Sequence, residues 1–153
     1  MSKIKVLMID DNISLVEMVK EYFKENQKIE LSLEAYNGED GLNMILNKEN
    51  EYDVILLDII MPKKDGLYVL DELYKRNISK KIIVQTSYNA PDVIRKVSEY
   101  GVNYYILKPF DLLELEKRIL ETFDISNSKS INLYQSNLQK YITNMLNELG
   151  MPS

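Results

Sequence analysis

Four short apolar runs, Val6-Leu7-Met8-Ile9, Val54-Ile55-Leu56-Leu57, Ile82-Ile83-Val84 and Tyr104-Tyr105-Ile106-Leu107, recur along the chain with segments of helical period between them. A strand without polar alternation is buried on both faces, as in a parallel sheet covered by helices. Residues 4–9 predict the first strand, and 13–26 a helix with Leu15, Met18, Val19, Tyr22 and Phe23 on its inner side. Residues 29–36 are more amphipathic and predict an edge strand. Residues 38–48 predict a helix, 53–57 the third strand, and 66–76 a helix started by Asp65-Gly66. Ile82–Val84 is the fourth strand. Pro91 suits the first turn of a helix that runs to about Tyr100 and is stopped by Gly101. Residues 104–107 are the fifth strand. The fifth helix spans 111–123, with Asp111 as N-cap and Leu112, Leu115, Ile119 and Phe123 inward. Strict alternation implies an α/β fold with five parallel strands, right-handed crossovers and helices on both faces. The order 2-1-3-4-5 is expected, and it sets the carboxyl ends of strands one and three side by side at the switch point.

The residues that close these runs are polar. Asp10 and Asp11 follow the first, Asp58 the third strand, Thr86 the fourth and Lys108 the fifth. Taken singly, each has a plain structural explanation: aspartates after strands cap helices or form turns, and a lysine can lie along the surface. Together they place three acids, a hydroxyl and an amine on one sheet edge. Mg²⁺ takes about six oxygen ligands and keeps several waters, so Asp11, Asp58 and the main-chain carbonyl of Ile60 make a normal protein share, with Asp10 orienting a bound water. Without a cation, three neighbouring carboxylates would repel one another and raise at least one pKa. Asp58 is then a candidate carboxylate nucleophile toward a phosphoryl donor, with Lys108 and Thr86 as partners of the phosphoryl oxygens.

Composition narrows the chemistry. With no histidine among its 153 residues, the chain can form no phosphohistidine, no Ser-His-Asp triad and no histidine metal site. Any phosphohistidine that donates to Asp58 belongs to another protein or domain. No cysteine is present, which removes disulfides, thiolate metal sites and thiol catalysis. The net charge of −5 argues against binding nucleic acid or an anionic membrane by general electrostatics. No stretch reaches the roughly 20 apolar residues of a membrane span, and the N-terminus has no signal-peptide core. A cytoplasmic location is expected.

Four motifs, Ile9-Asp10-Asp11-Asn12, Leu57-Asp58-Ile59-Ile60-Met61-Pro62 with Asp65-Gly66, Thr86-Ser87, and Tyr105-Ile106-Leu107-Lys108-Pro109-Phe110, together resemble the receiver domains of two-component response regulators. The resemblance covers roughly residues 3–123. It implies a flavodoxin-like receiver fold in which Asp58 accepts phosphate from a histidine kinase or histidine phosphotransferase, and Asp10, Asp11 and Asp58 hold Mg²⁺. It also implies that Lys108 and Thr86 engage the phosphoryl group, that Tyr105 changes rotamer with Thr86 as a switch, and that Lys108-Pro109 is cis. Ser87 departs from the small alanine common in the family and would alter access to the acyl phosphate.

Leu57–Pro62, Tyr105–Asp111 and the tail Ile142–Pro152 are further similar to the response regulators that start sporulation in spore-forming Gram-positive bacteria, which join a receiver to a DNA-binding domain. Asn147 stands where their helix usually has histidine. Residues 1–123 are thus expected to form the receiver, 124–132 a polar linker, and 133–149 an amphipathic helix with Tyr134, Leu138, Tyr141, Ile142, Met145, Leu146 and Leu149 on one face. That helix has three possible fates: the start of an effector domain cut off at Ser153, packing back on the receiver, or pairing in a homodimer. DNA binding is expected only through the missing domain. The alternatives for the whole are a stand-alone receiver and a phosphate-independent scaffold. A Mg²⁺-dependent phosphohydrolase would need a second carboxylate where Ile60 stands, and a flavin or nucleotide module would meet repulsion from Asp10 and Asp11.

Overall fold

The computed structural model describes residues 2–87 and 91–123, in which β1 (Ile4–Ile9), β2 (Ile29–Ala35), β3 (Val54–Leu57), β4 (Lys81–Thr86) and β5 (Tyr104–Leu107) pair in parallel in the order β2-β1-β3-β4-β5. The helices are α1 (Ile13–Phe23), α2 (Gly38–Asn47), α3 (Gly66–Lys75), α4 (Pro91–Glu99) and α5 (Leu112–Thr122). The expected order and alternation are found, with β2 at an edge. The expected linker and C-terminal helix, residues 124–149, lie outside the described residues.

Side chains of a strand alternate between faces, so the sheet has two cores. Leu7, Ile9, Ile55, Leu57, Val84 and Tyr105 pack with Leu42 and Ile45 of α2, Val69, Leu70 and Leu73 of α3, and Ile94 and Val97 of α4. Val6, Met8, Val54, Leu56, Ile83, Tyr104 and Ile106 pack on the other side with Val16, Val19 and Phe23 of α1 and Leu115 and Ile119 of α5. Parity along β1 and β4 therefore carries Asp10 and Gln85 toward the α1/α5 side.

α1 departs from the expected inner face. Its buried residues are Val16, Val19 and Phe23, while Met18 is 50% and Tyr22 38% exposed. The apolar residues of this helix exceed what one stripe can bury, so the spacing alone did not select the right set. Tyr22 instead donates its hydroxyl to Glu116 Oε1 of α5 at 2.8 Å.

The helix starts follow local chemistry. Asp65 Oδ1 accepts from Tyr68 N at 2.9 Å and Asp111 Oδ1 from Leu113 N at 2.8 Å, the two caps expected from the sequence. Asn12 caps α1, its Oδ1 accepting from Leu15 N at 3.1 Å, so neither Asp10 nor Asp11 is taken up as the cap. Gly101 stops α4 with a left-handed φ of 74°. At Gly66 the need for glycine is steric: a β-carbon would run into the carbonyl oxygen of Asp58. The Gly66 N–H donates to Ile59 O at 2.8 Å and seats the start of α3 against the turn that follows β3.

Candidate functional site

Asp10, Asp58 and Lys108 each sit one residue past a strand end, and backbone pairing continues to hold them. Asp10 N–H donates to Ala35 O at 3.0 Å, Asp58 N–H to Ile9 O at 2.9 Å, and Lys108 N–H to Thr86 O at 2.9 Å. The site is thus placed by the sheet rather than by loose loops. Asp10 is wholly buried, Asp58 nearly so, and Asp11 exposed; one ligand oxygen from each lies within 4.8 Å of the others.

Lys108 Nζ donates to Asp10 Oδ2 at 2.6 Å and lies 3.4 Å from Asp58 Oδ2. One ammonium therefore serves two buried carboxylates, and it favours Asp10. Asp10 Oδ1 accepts from Asn12 N at 2.8 Å. Asp58 is less well provided for: its Oδ1 is buried and has no hydrogen-bond partner among the described residues. Burial raises the Asp58 pKa, the Asp10 charge adds to the rise, and Lys108 and the Thr86 hydroxyl oppose it.

An orphaned carboxylate oxygen beside two further carboxylates is what a hard divalent cation satisfies, and the all-oxygen donor set with open access at Asp11 fits Mg²⁺. Ile60 lies two residues beyond Asp58 in the turn and is 51% exposed.

Thr86 ends β4 and is buried at the same edge. Tyr105 is wholly buried on the α2/α3/α4 side of the sheet, and its phenol is pushed far up, first by burial and then by the charge of Asp58. The Lys108-Pro109 peptide is cis, as the resemblance implied. All the residues expected from the strand ends thus converge on one edge.

One residue went unnoticed in the sequence. Gln85, wholly buried in β4, donates from Nε2 to Asp10 Oδ2 at 2.8 Å. Its signal was present: a long polar side chain inside a doubly covered strand must find a partner, and it shares a face with Asp10.

The family model for the response regulator receiver domain matches residues 6–120. The receiver domain of a Francisella response regulator is similar at 30% identity and a TM-score of 0.72, over 82% of this chain and 100% of that one. A DNA-binding response regulator of the LuxR family from Staphylococcus aureus is similar at 28% identity and a TM-score of 0.70, over 78% of this chain and 98% of that one. A CheX-CheY-BeF3-Mg complex from Borrelia burgdorferi matches at 23% identity and a TM-score of 0.71, over 78% of this chain and 89% of that one, a likeness of fold.

Proposed function

The chain belongs to the response regulator receiver domain family, and from that premise we propose that Asp58 is its phosphoacceptor, that Asp10, Asp11, Asp58 and the carbonyl of Ile60 hold Mg²⁺, and that Thr86 and Tyr105 form the switch. The observation that carries this assignment is the buried Asp58 carboxylate with one unpartnered oxygen, shared on its other oxygen with Lys108 at 3.4 Å.

In this mechanism an Asp58 oxygen attacks the phosphorus of a phosphohistidine on a kinase or phosphotransferase. The new O–P bond forms as the P–N bond breaks, and the donor imidazole leaves. Mg²⁺ supplies positive charge to the transferring phosphoryl oxygens. Lys108 moves from Asp10 toward Asp58 and pairs with one phosphoryl oxygen, and the Thr86 hydroxyl donates to another. Drawing Thr86 inward opens room for Tyr105 to turn, which changes the surface formed by α4, β5 and α5. The protein ends the reaction phosphorylated and is a switch, not a turnover enzyme.

The partner is a histidine kinase or phosphotransferase acting in the cytoplasm. Residues 124–132 serve as a linker, and 133–149 begin an effector domain of the sporulation-regulator kind, an assignment supported by the motifs of the tail and of the Asp58 and Lys108 turns.

Intact-protein mass after incubation with Mg²⁺ and acetyl phosphate tests the proposal. A Mg²⁺-dependent gain of one phosphoryl group in the parent and none in Asp58→Asn is expected. Equal gain in both proteins would contradict it, and sustained hydrolysis of a small phosphate ester would favour a phosphohydrolase instead.

A further inference from the structure

Gln85 has no part in the mechanism above, yet it touches the centre of the site. It lies in β4 one residue before Thr86, wholly buried, with Nε2 2.8 Å from Asp10 Oδ2. That same oxygen takes the Lys108 ammonium at 2.6 Å. The amide can face Asp10 in one way only, because an ionised carboxylate solely accepts and the flipped amide would set oxygen against oxygen.

Packing does not explain a glutamine here. Its Oε1 is buried with no hydrogen-bond partner among the described residues, a cost that an apolar side chain of the same length would not carry. Its neighbours in the strand, Ile83 and Val84, are the apolar residues the doubly covered sheet favours. What glutamine adds over methionine is an amide, and its Nε2 donates to Asp10.

We propose that Gln85 is a positioning residue that holds the Asp10 carboxylate in place when Lys108 leaves it for the phosphoryl group; this rests on the assignment of Asp58 as phosphoacceptor. Lys108 stands 2.6 Å from Asp10 and 3.4 Å from Asp58, so pairing with a phosphoryl group on Asp58 draws it away from Asp10. Asp10 is out of reach of bulk water, and without a second donor its Oδ2 would be left bare. Gln85 keeps that oxygen bonded and the carboxylate aimed at the cation site, before and after Lys108 moves. It acts through Asp10 and touches no reacting atom.

The test is Gln85→Met, which keeps length and removes the donor, with Gln85→Leu as a second variant should methionine disturb the core. Mg²⁺ affinity is measured by calorimetry with no phosphodonor, the melting midpoint without Mg²⁺, and the uptake rate from acetyl phosphate by intact mass. Gln85→Met is expected to melt at or above the parent, to bind Mg²⁺ about tenfold more weakly, as loss of an outer partner of a metal ligand typically does, and to take up phosphate more slowly at a given Mg²⁺ level. In an Asp10→Ala background the same substitution is expected to change the uptake rate by less than about twofold, since the partner it acts through is gone.

Parental affinity and rate in both Gln85 variants would overturn the proposal, as would equal losses with and without Asp10, or a lower melting midpoint with unchanged Mg²⁺ affinity. Failure of the parent itself to take up phosphate would instead remove the assignment of Asp58, while the affinity ratio would still decide whether Gln85 holds Asp10.

Discussion

Asp58 pays for its position with its own ionisation: burial first and the Asp10 charge second lift its pKa above the ordinary 3.8, and Lys108 and Thr86 only partly offset them. A carboxyl with a raised native pKa holds its proton more tightly folded than unfolded. Its contribution to stability is therefore present below the unfolded pKa and lost as pH rises through the folded one. At neutral pH without metal, the Asp58 carboxyl is therefore destabilising. Asp58→Asn removes that charge at nearly constant shape, so the metal-free variant is expected to melt a few degrees above the parent at pH 7. The gap should close as pH falls toward about 4, where the carboxyl of the unfolded chain also takes its proton. Melting curves across that range check the sign; a variant less stable than the parent at pH 7 would show that Asp58 is held by contacts rather than strained by them. Adding Mg²⁺ is expected to raise the parent's midpoint more than the variant's, because binding to the native state alone stabilises it.

At the scale of elements, α3 is the part that fixes the Asp58 turn. Gly66 brings the helix start against the Asp58 and Ile59 backbone, with no room for a β-carbon. Gly66→Ala must push α3 away from that turn, and it is expected to destabilise the fold by about 2 kcal/mol, as overpacking against backbone does. It should also weaken Mg²⁺ binding; denaturant unfolding and calorimetry measure both, and a loss of stability with unchanged Mg²⁺ affinity would show that the turn holds its shape without α3. Much of this element plan was legible in the residues. Apolar runs without alternation announced covered parallel strands, Asp65 and Asp111 announced caps, and polar residues at strand ends announced the site. Two things were not legible. Met18 and Tyr22 fit a helical stripe as well as Val16 did, and only the position of α5 and the sheet decides which apolar residues are covered. Gln85 looked like an ordinary strand residue because its partner, Asp10, is 75 positions away in sequence and meets it only through the sheet order.

For the molecule as a whole, the described residues contain both covered faces of the sheet and the entire acidic edge. Among them no helix is long and apolar enough to cross a membrane. Phe123 packs against the α1/α5 core, and on that contact we propose a receiver boundary after it. A fragment of residues 1–123 is expected to unfold in one cooperative transition and to keep the parent's Mg²⁺ affinity. Loss of that transition would mean that residues beyond 123 complete a core, which would favour packing back over an effector domain. The sheet, its two helical layers and the ion-paired edge set the acidic residues at one end of the fold, and the proposed role of Asp58 depends on where the phosphoryl group lands. Reductive trapping answers this most directly. Borohydride converts an aspartyl phosphate to homoserine, and peptide mass mapping then identifies the residue. After treatment with Mg²⁺ and acetyl phosphate, homoserine is expected at position 58 and at neither 10 nor 11. Homoserine at Asp10 or Asp11, or an unmodified Asp58 in protein whose mass shows one phosphoryl group gained, would contradict the account.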